Sequence, residues 1–422
     1  MSTTSTGQPG RRVWLVTTGE ALPIDPGARV MRTGRIARLM AAGGHQVTWW
    51  ADAFDHYRKT FRAAAHECVT VQENLNIALL HAPPYYRNIS LARVWNHRCM
   101  AAQFRLLAPR RERPDVILCS YPPIELALAV ADFASQQGVP LIMDVRDYWP
   151  DIFPAYLPRW TRWPARLMLR PYYAMSKAAL RQALAFTAIS EDILRWGLER
   201  AGRGRGAGDR VFYNAYWSEP PGAVPPEPLD LGAGLPRPAL RCAFIGGFGV
   251  GHDLATIIEA AHKLRGSAPA VQFVLAGDGN LAQALRKQAQ GLLNVVFTGW
   301  ISAPQIQSLL SQADAGLVSF TAGCFEAVPN KIFEYMSGGL ALLNTTTSDM
   351  RPVIEREKIG LNYEAGNATE LAEKIQYLLA HPEELAAMRR RSKELFLEKF
   401  EARKVYQDMI AHVLSFARSA KT

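Results

Sequence analysis

Glu326 and Glu334 sit eight positions apart in FEAVPNKIFEYMSGG (325–339), with Pro329, Asn330 and Lys331 between them and two glycines after. Proline suits the first turn of a helix, where its missing N–H has no partner to lose. The N–H groups of Asn330, Lys331 and Ile332 would then face outward, and the helix dipole favours an anion such as a pyrophosphate there. Lys331 adds a point charge. Glu334, one turn on, is placed to accept hydrogen bonds from ribose hydroxyls, and Glu326, in the loop before, to reach a sugar. The spacing fits a ligand laid across the helix start as ribose, diphosphate and sugar. The same acids can equally be a surface loop acid and a solvated helix acid, and the stretch alone does not choose.

Three further segments offer chemistry. CAFIGGFGVGHDLATIIEAAHKL (242–264) reads as strand, glycine loop and helix, in which Gly246, Gly247, Gly249 and Gly251 let a backbone approach a ligand. The spacing is neither a dinucleotide fingerprint nor a P-loop, so phosphate binding and a plain tight turn both stay open. FVLAGDGN (273–280) repeats the form, with Asp278 as a cap for the helix that follows. VVFTGWIS (295–302) ends a strand at Gly299, where Trp300 and Ile301 can hold a flat base, or Trp300 can be a buried structural ring.

These segments need a scaffold, and the chain supplies one twice. Strands read at 12–18, 45–51, 114–120 and 140–145 alternate with helices at 28–44 and 124–138. After a Pro/Gly-rich linker at 219–238, strands at 241–245, 271–276, 294–298, 315–319 and 340–343 alternate with helices at 253–264, 280–289, 303–312 and 330–337. Repeated β-α-β implies parallel sheets covered by helices on both faces. The expected fold is α/β with two Rossmann-like doubly wound halves and a ligand cleft between them. The expected divisions are a disordered tip (1–11), an acceptor half (12–218), the linker, a donor half (239–400) and a last helix (401–422) packing back on the first half.

At 422 residues and 49% hydrophobic content, two or three domains fit a prior of roughly 150 residues each. No charge-free apolar run of membrane-spanning length appears, and the polar start lacks the apolar core of a signal peptide. Five scattered cysteines without a CxxC pair argue against a zinc site or disulfide framework and suggest a reducing cytosol. The net charge of +10 admits nucleic acid, a membrane surface or a phosphorylated substrate. YLPRWTRWPARLMLRPYYAMSKAALRQAL (156–184) interleaves arginines with aromatic and aliphatic residues and carries no acid. It reads as an interfacial binder of anionic lipid, with a solvated Arg-rich helix packing on the second half as the other reading. Nucleic acid is not expected.

The opening stretch resembles the E-x7-E motif of retaining GT-B glycosyltransferases of the family-4 type. RTGRIARLMAAGGHQVTWWA, LIMDVRDYWPD, TAISEDI, RCAFIGGFGVGHDLATIIEAA, NVVFTGWISAPQIQSLLSQADAGLVSF, VPNKIFEYMSGGLALLNT and GLNYEAGNATELAEKI are similar to that family in order, over about residues 12–400. The VPNKIFEYM and DVRDYWPD segments look closest to the bacterial surface-polysaccharide branch, which includes fucosamine-type transferases. The resemblance implies a nucleotide-sugar donor on the second half and a lipid-linked or glycan acceptor on the first. It implies front-face substitution with retention, in the cytoplasm and at the inner face of the cell membrane.

By the same resemblance Glu326 and Lys331 would be catalytic, with Asp147 the candidate from the DVRDYWPD loop. Gly19, Gly246, Gly247, Gly249, Trp300, Ile301, Asn330 and Glu334 would bind donor; Glu20, Arg32, Tyr121 and Arg146 would bind acceptor. No D-x-D occurs, so no metal or cofactor is expected, and helix starts and cations carry the diphosphate. In MDVRDYWPD, Asp144, Arg146, Asp147 and Asp151 can bind acceptor, or an internal Arg–Asp pair can fix the loop. Two departures stand out. GGFGVGHD offers no cation after the glycines unless His252 charges, and CSYPPIEL puts Ser120 and Tyr121 where many relatives carry His. The competing readings are a GT-B nucleotide-sugar epimerase and a catalytically silent partner in polysaccharide assembly.

Overall fold

Runs such as VWLV (13–16) and VILCSY (116–121) are buried along their whole length, as strands covered on both faces require. The computed structural model describes residues 10–27, 30–155, 157–217, 227–231, 237–267, 270–324 and 328–418. Most of the tip 1–11, most of the linker 219–238, and Glu326 lie outside the described residues. The chain forms two compact units, Met1–Phe212 with Tyr406–Thr422, and Tyr213–Val405.

The first unit holds β1 (Arg12–Val16), β2 (Gln46–Asp52), β3 (Glu67–Gln72), β4 (Leu75–Leu80), β5 (Val116–Tyr121), β6 (Leu141–Val145), β7 (Ala185–Ala188) and β8 (Arg210–Val211). Their order is β3-β4-β2-β1-β5-β6-β7-β8. Every pair is parallel except β3 with β4. That hairpin departs from the all-parallel expectation. Its turn is Glu73–Asn74, and Asn74 takes the left-handed conformation (φ 64°) that asparagine tolerates. β3, β4 and the helix Leu91–Leu107 add to the elements read from sequence.

The second unit holds β9 (Leu240–Ile245), β10 (Val271–Ala276), β11 (Val295–Gly299), β12 (Ala315–Val318), β13 (Ala341–Asn344) and β14 (Gly360–Asn362). The order is β11-β10-β9-β12-β13-β14, parallel throughout. Alternate residues face opposite cores: Phe244 and Phe273 on one side, Ala243 and Val274 on the other.

Chain order reverses between β1 and β5, and again between β9 and β12, which are the places where open α/β sheets bind ligands. β9 and β12 pair only at Cys242–Ala315 and Ala243–Gly316. Tyr335, fully buried on the helix Asn330–Ser337, closes the gap beyond them. Its hydroxyl accepts the Ile245 N–H at 2.8 Å and donates toward the Leu317 carbonyl at 3.5 Å. Gly316 makes room for it, since a Cβ there would lie 2.3 Å from the tyrosine ring. Gly316→Ala is therefore expected to cost about 1–3 kcal/mol by overpacking. Tyr335→Phe should cost a similar ~1–3 kcal/mol by stranding the Ile245 N–H. Urea unfolding followed by circular dichroism checks both, and an unchanged midpoint in either would contradict this account.

Candidate active site

Two glycine loops form one surface at the carboxyl ends of β9 and β10. The Gly246 N–H donates to Ala276 O at 2.9 Å, Phe248 N–H to Asp278 O at 2.8 Å, and Gly277 N–H to Gly299 O at 2.8 Å. The approach is closer than any side chain allows. A Cβ on Gly277 would meet Gly246 O at 1.8 Å, and one on Gly279 would meet Phe248 O at 2.6 Å. Gly277 (φ 147°) and Gly279 (φ 156°) are thus fixed by loop interlocking. Beside Gly249 there is open space, and beside Gly247 the nearest atom is 4.0 Å from an added Cβ, so these two present bare backbone. Asp278 does not cap the following helix. That helix begins after Leu281, and the Asp278 carboxylate accepts the Gly279 N–H instead.

Lys331 stands over this surface. Its ammonium lies 4.0 Å from the centre of the Phe244 ring and 5.1 Å from that of Phe320, and 3.3 Å from where a Gly246 Cβ would be. The rings hold the charge by cation–π attraction. His252 packs edge-on to Phe244 and tilted against Phe320. Burial first, and then the Lys331 charge, push its imidazole down to about 4. His252 is therefore neutral near pH 7 and does not supply the missing cation. The helix start is partly spent as well: the Ile332 N–H donates to Pro329 O at 3.1 Å, so it does not face outward as the sequence reading has it. Asn330 is exposed at that start and Glu334 is half-buried one turn on. Trp300, 73% exposed, is not a buried structural ring, and Ile301 packs partly against the core.

In the first unit a cavity of about 370 Å³ opens at the carboxyl ends of β1, β2 and β5. Gly19, Arg146 and Asp147 line it. Burial raises the Asp147 carboxyl while its oxygen accepts the Tyr148 N–H at 2.7 Å. Behind the wall lies a buried brace. Arg146 bonds Asp144 at 2.7 Å, Thr33 at 3.0 Å, and Glu20. Glu20 also takes the Thr33 N–H and hydroxyl at 3.1 and 2.8 Å. Asp144, wholly buried, additionally meets Thr187 at 2.7 Å and Arg32 at 3.4 Å. Burial alone would raise the Asp144 carboxyl, but Arg32 and Arg146 bring it down to about 2.

This network selects the internal Arg–Asp pair over direct acceptor binding for most of the loop. Glu20 and Arg32 are committed to the brace, and Arg32 also donates to Phe212 O at 2.9 Å and touches Met409. Tyr121 is likewise interior: its hydroxyl lies 2.6 Å from Trp149 O and 2.7 Å from Ser176. Asp151 pairs with Arg200 and Trp196 away from the cavity.

Residues 27–213 match the family described as glycosyl transferase 4-like domain, and residues 239–381 match glycosyl transferases group 1. A colanic acid biosynthesis glycosyl transferase, WcaI of Escherichia coli (strain K12), is 26% identical over 337 residues, which are 74% of this chain and 78% of that one. The chain belongs to the GT-B-fold glycosyltransferases of the family-4 type. Its fold is that of HepE from Anabaena (TM-score 0.64, 16% identity, 96% of this chain and 99% of that one). It is also that of sucrose-phosphate synthase from Thermosynechococcus elongatus (TM-score 0.69, 16% identity, 94% and 97%).

The transferase's first-unit cavity also contains residues that sequence reasoning passed over: Asp52, His56, Arg93, Asn96 and His97. They come from the end of β2 and from the helix Leu91–Leu107, an element without a recognised motif. The end of β2 was the available signal, since ligands gather at the carboxyl ends of parallel strands. Asp52 accepts the Gly19 N–H at 3.2 Å and lies 3.7 Å from Arg62. Burial outweighs that arginine and pushes its carboxyl up to about 6. Ionised Asp52 therefore costs the folded state stability as pH rises from the unfolded carboxyl's 3.8 through about 6. Asp52→Asn keeps an acceptor for Gly19, and Arg62 keeps Asp25 and Asp55. The variant is expected to match wild type below about pH 4 and to be up to about 3 kcal/mol more stable at pH 7. Urea titrations at both pH values check this, and equal stability at pH 7 would refute the assignment.

Proposed function

We propose that this glycosyltransferase moves a sugar from a nucleotide-diphosphate donor to a lipid-linked or glycan acceptor, with retention at the anomeric carbon. The observation that carries the reading is the Lys331 ammonium fixed on Phe244 beside Gly246, in the loop whose Gly247 and Gly249 present bare backbone. A diphosphate on that surface meets a fixed cation and a helix start. Glu334 then faces the ribose, Trp300 and Ile301 the base, and Glu326 the donor sugar. HepE has been solved with UDP and with UDP-glucose, which supports a nucleotide-sugar donor. The WcaI likeness supports a surface-polysaccharide product.

In front-face substitution the bond from the anomeric carbon to the phosphate oxygen breaks while the acceptor oxygen bonds to the same face. The acceptor proton passes to the departing phosphate oxygen, so no protein nucleophile is consumed. Charge grows on the diphosphate as it leaves, where Lys331 stabilises it more than in the ground state. Asp147, on the first-unit cavity wall, is placed to orient an acceptor hydroxyl.

Thermal stability with UDP, GDP, TDP, CMP, AMP and NAD tests the donor site. One diphosphate at about 100 times its Kd should add roughly 2.7 kcal/mol. Lys331→Met should abolish most of that gain and lower turnover by about 10²–10³. Silence across the panel would sink the donor reading.

The segment 156–184 is proposed to seat the enzyme on anionic lipid. Trp160, Trp163 and Met168 are exposed on it, while the helix Arg170–Arg181 buries only Ser176, Ala179 and Leu180. No helix among the described residues is long and apolar enough to cross a membrane. Flotation with anionic vesicles at low salt should carry the protein upward, with Trp160→Ala/Trp163→Ala floating less. A protein that stays at the bottom of the gradient refutes this part.

A further inference from the structure

We infer that an apolar groove beside the acceptor cavity takes the hydrocarbon chain of a lipid phosphate, and that Arg93 holds the phosphate where the two spaces meet. The inference rests on reading the first unit as the acceptor half, and it names the class of acceptor.

The groove, of about 330 Å³, runs between the start of the helix Leu91–Leu107 and the stretch from Trp149 to Tyr172. Ile89, Leu91, Val94, Phe153 and Leu169 supply its wall. Leu91 is 87% exposed and Ile89 77%. Single apolar side chains in water need no explanation, but these line one concavity. Arg93, His97 and Trp149 line this groove and the polar cavity alike.

Arg93 is the hinge of the argument. Its guanidinium lies over the Tyr85 and Trp149 rings at 5.5 and 5.1 Å, and one N–H donates to Asn88 O at 2.8 Å. Its Nε is buried without a hydrogen-bond partner, and among the described residues it makes no salt bridge. His97 and Glu125, which also line the groove, lie 3.7 Å apart; burial and Arg93 hold the imidazole down to about 3, and burial raises the Glu125 carboxyl, which favours its uncharged form beside Arg93. A fixed arginine with donor capacity to spare suits an anion. A polar chamber, a cation at the junction and a carbon-lined groove match an amphiphile of sugar, phosphate and chain. A free glycan would leave the apolar wall of the groove unfilled. The neighbouring exposed Trp160, Trp163 and Met168 suit a chain arriving from a lipid surface.

The test is calorimetric titration of the Lys331→Met protein, whose donor surface no longer holds a diphosphate, with farnesyl diphosphate below its micellar concentration, beside farnesol and inorganic diphosphate. Farnesyl diphosphate should bind at least about tenfold more tightly than either fragment. Leu91→Glu, a change at an exposed position, should weaken farnesyl diphosphate by about tenfold or more and inorganic diphosphate by less. Arg93→Gln should bring farnesyl diphosphate down to the level of farnesol. Equal binding of farnesyl and inorganic diphosphate would mean a free-anion site and overturn the inference. So would a folded Leu91→Glu protein that binds farnesyl diphosphate as wild type does, or association seen only with vesicles and insensitive to either variant. The nucleotide panel separates the two proposals: a nucleotide response without farnesyl diphosphate binding leaves the transferase reading standing and removes only this one.

Discussion

The surface at the carboxyl ends of the second sheet depends on one phenol. Where β9 and β12 part, the sheet leaves a part-buried donor at Ile245 and a buried acceptor at Leu317 to be satisfied. An unpaired buried polar group costs about 1–3 kcal/mol, so the gap must be filled by something polar. Tyr335 fills it from the helix Asn330–Ser337, and the rotation and depth of that helix follow. Lys331, four residues earlier on the same helix, is thereby set over Phe244 of β9 and next to Gly246. The cation reaches that place because the sheet's own splay seats the helix that carries it.

That economy explains the histidine in the glycine loop. Many relatives place cations after the loop; here His252 occupies the position and is neutral. The low value follows from the same burial that shapes the Lys331 site, with the lysine charge as the second cause. Two positive charges in so small an aromatic enclosure would repel, and the one with the lower intrinsic proton affinity yields. Phosphate neutralisation therefore falls to Lys331 and to main-chain groups. The first unit solves a different problem. Arg146, Asp144, Glu20, Arg32 and Thr33 neutralise one another out of water, which turns the DVRDYWPD loop into a rigid shelf with Asp147 at its edge.

Elements with uniform physics were legible in the sequence. Strands buried on both faces are plain apolar runs, and the helices 303–312 and 330–337 are flanked by Pro and Gly signals, so their spans agree with Ala303–Gln312 and Asn330–Ser337. The antiparallel β3 was not legible, although its alternation and the Glu-Asn turn carried the signal. Among candidate site residues, Lys331 stands out from sequence because the motif around it is local. Glu20, Arg32 and Tyr121 were misread because a sequence shows that a polar residue sits after a strand, not whether a partner 112 or 126 positions away has claimed it. Asp52, Arg93 and His97 were missed for the converse reason: only the topological switch between β1 and β5 brings them to one cavity.

The two units thus divide the problem by charge. The proposed donor surface is main chain with Lys331 over it, suited to a ligand whose negative charge rises during reaction. The first-unit chamber, proposed for the acceptor, has its strong charges, Arg146 among them, already paired, so its selectivity must come from the groups left facing inward. Those are Asp147, whose carboxyl burial raises, Asp52, half-neutral near pH 6, and Arg93 at the apolar margin. A chamber with weak anions, an arginine already paired and Arg93 at its edge discriminates poorly among neutral sugars by charge. It discriminates well between a sugar carried on a phosphate with a hydrocarbon chain and one that is not. Specificity for the carrier and specificity for the sugar are accordingly separable in this fold, because different walls of the same unit provide them.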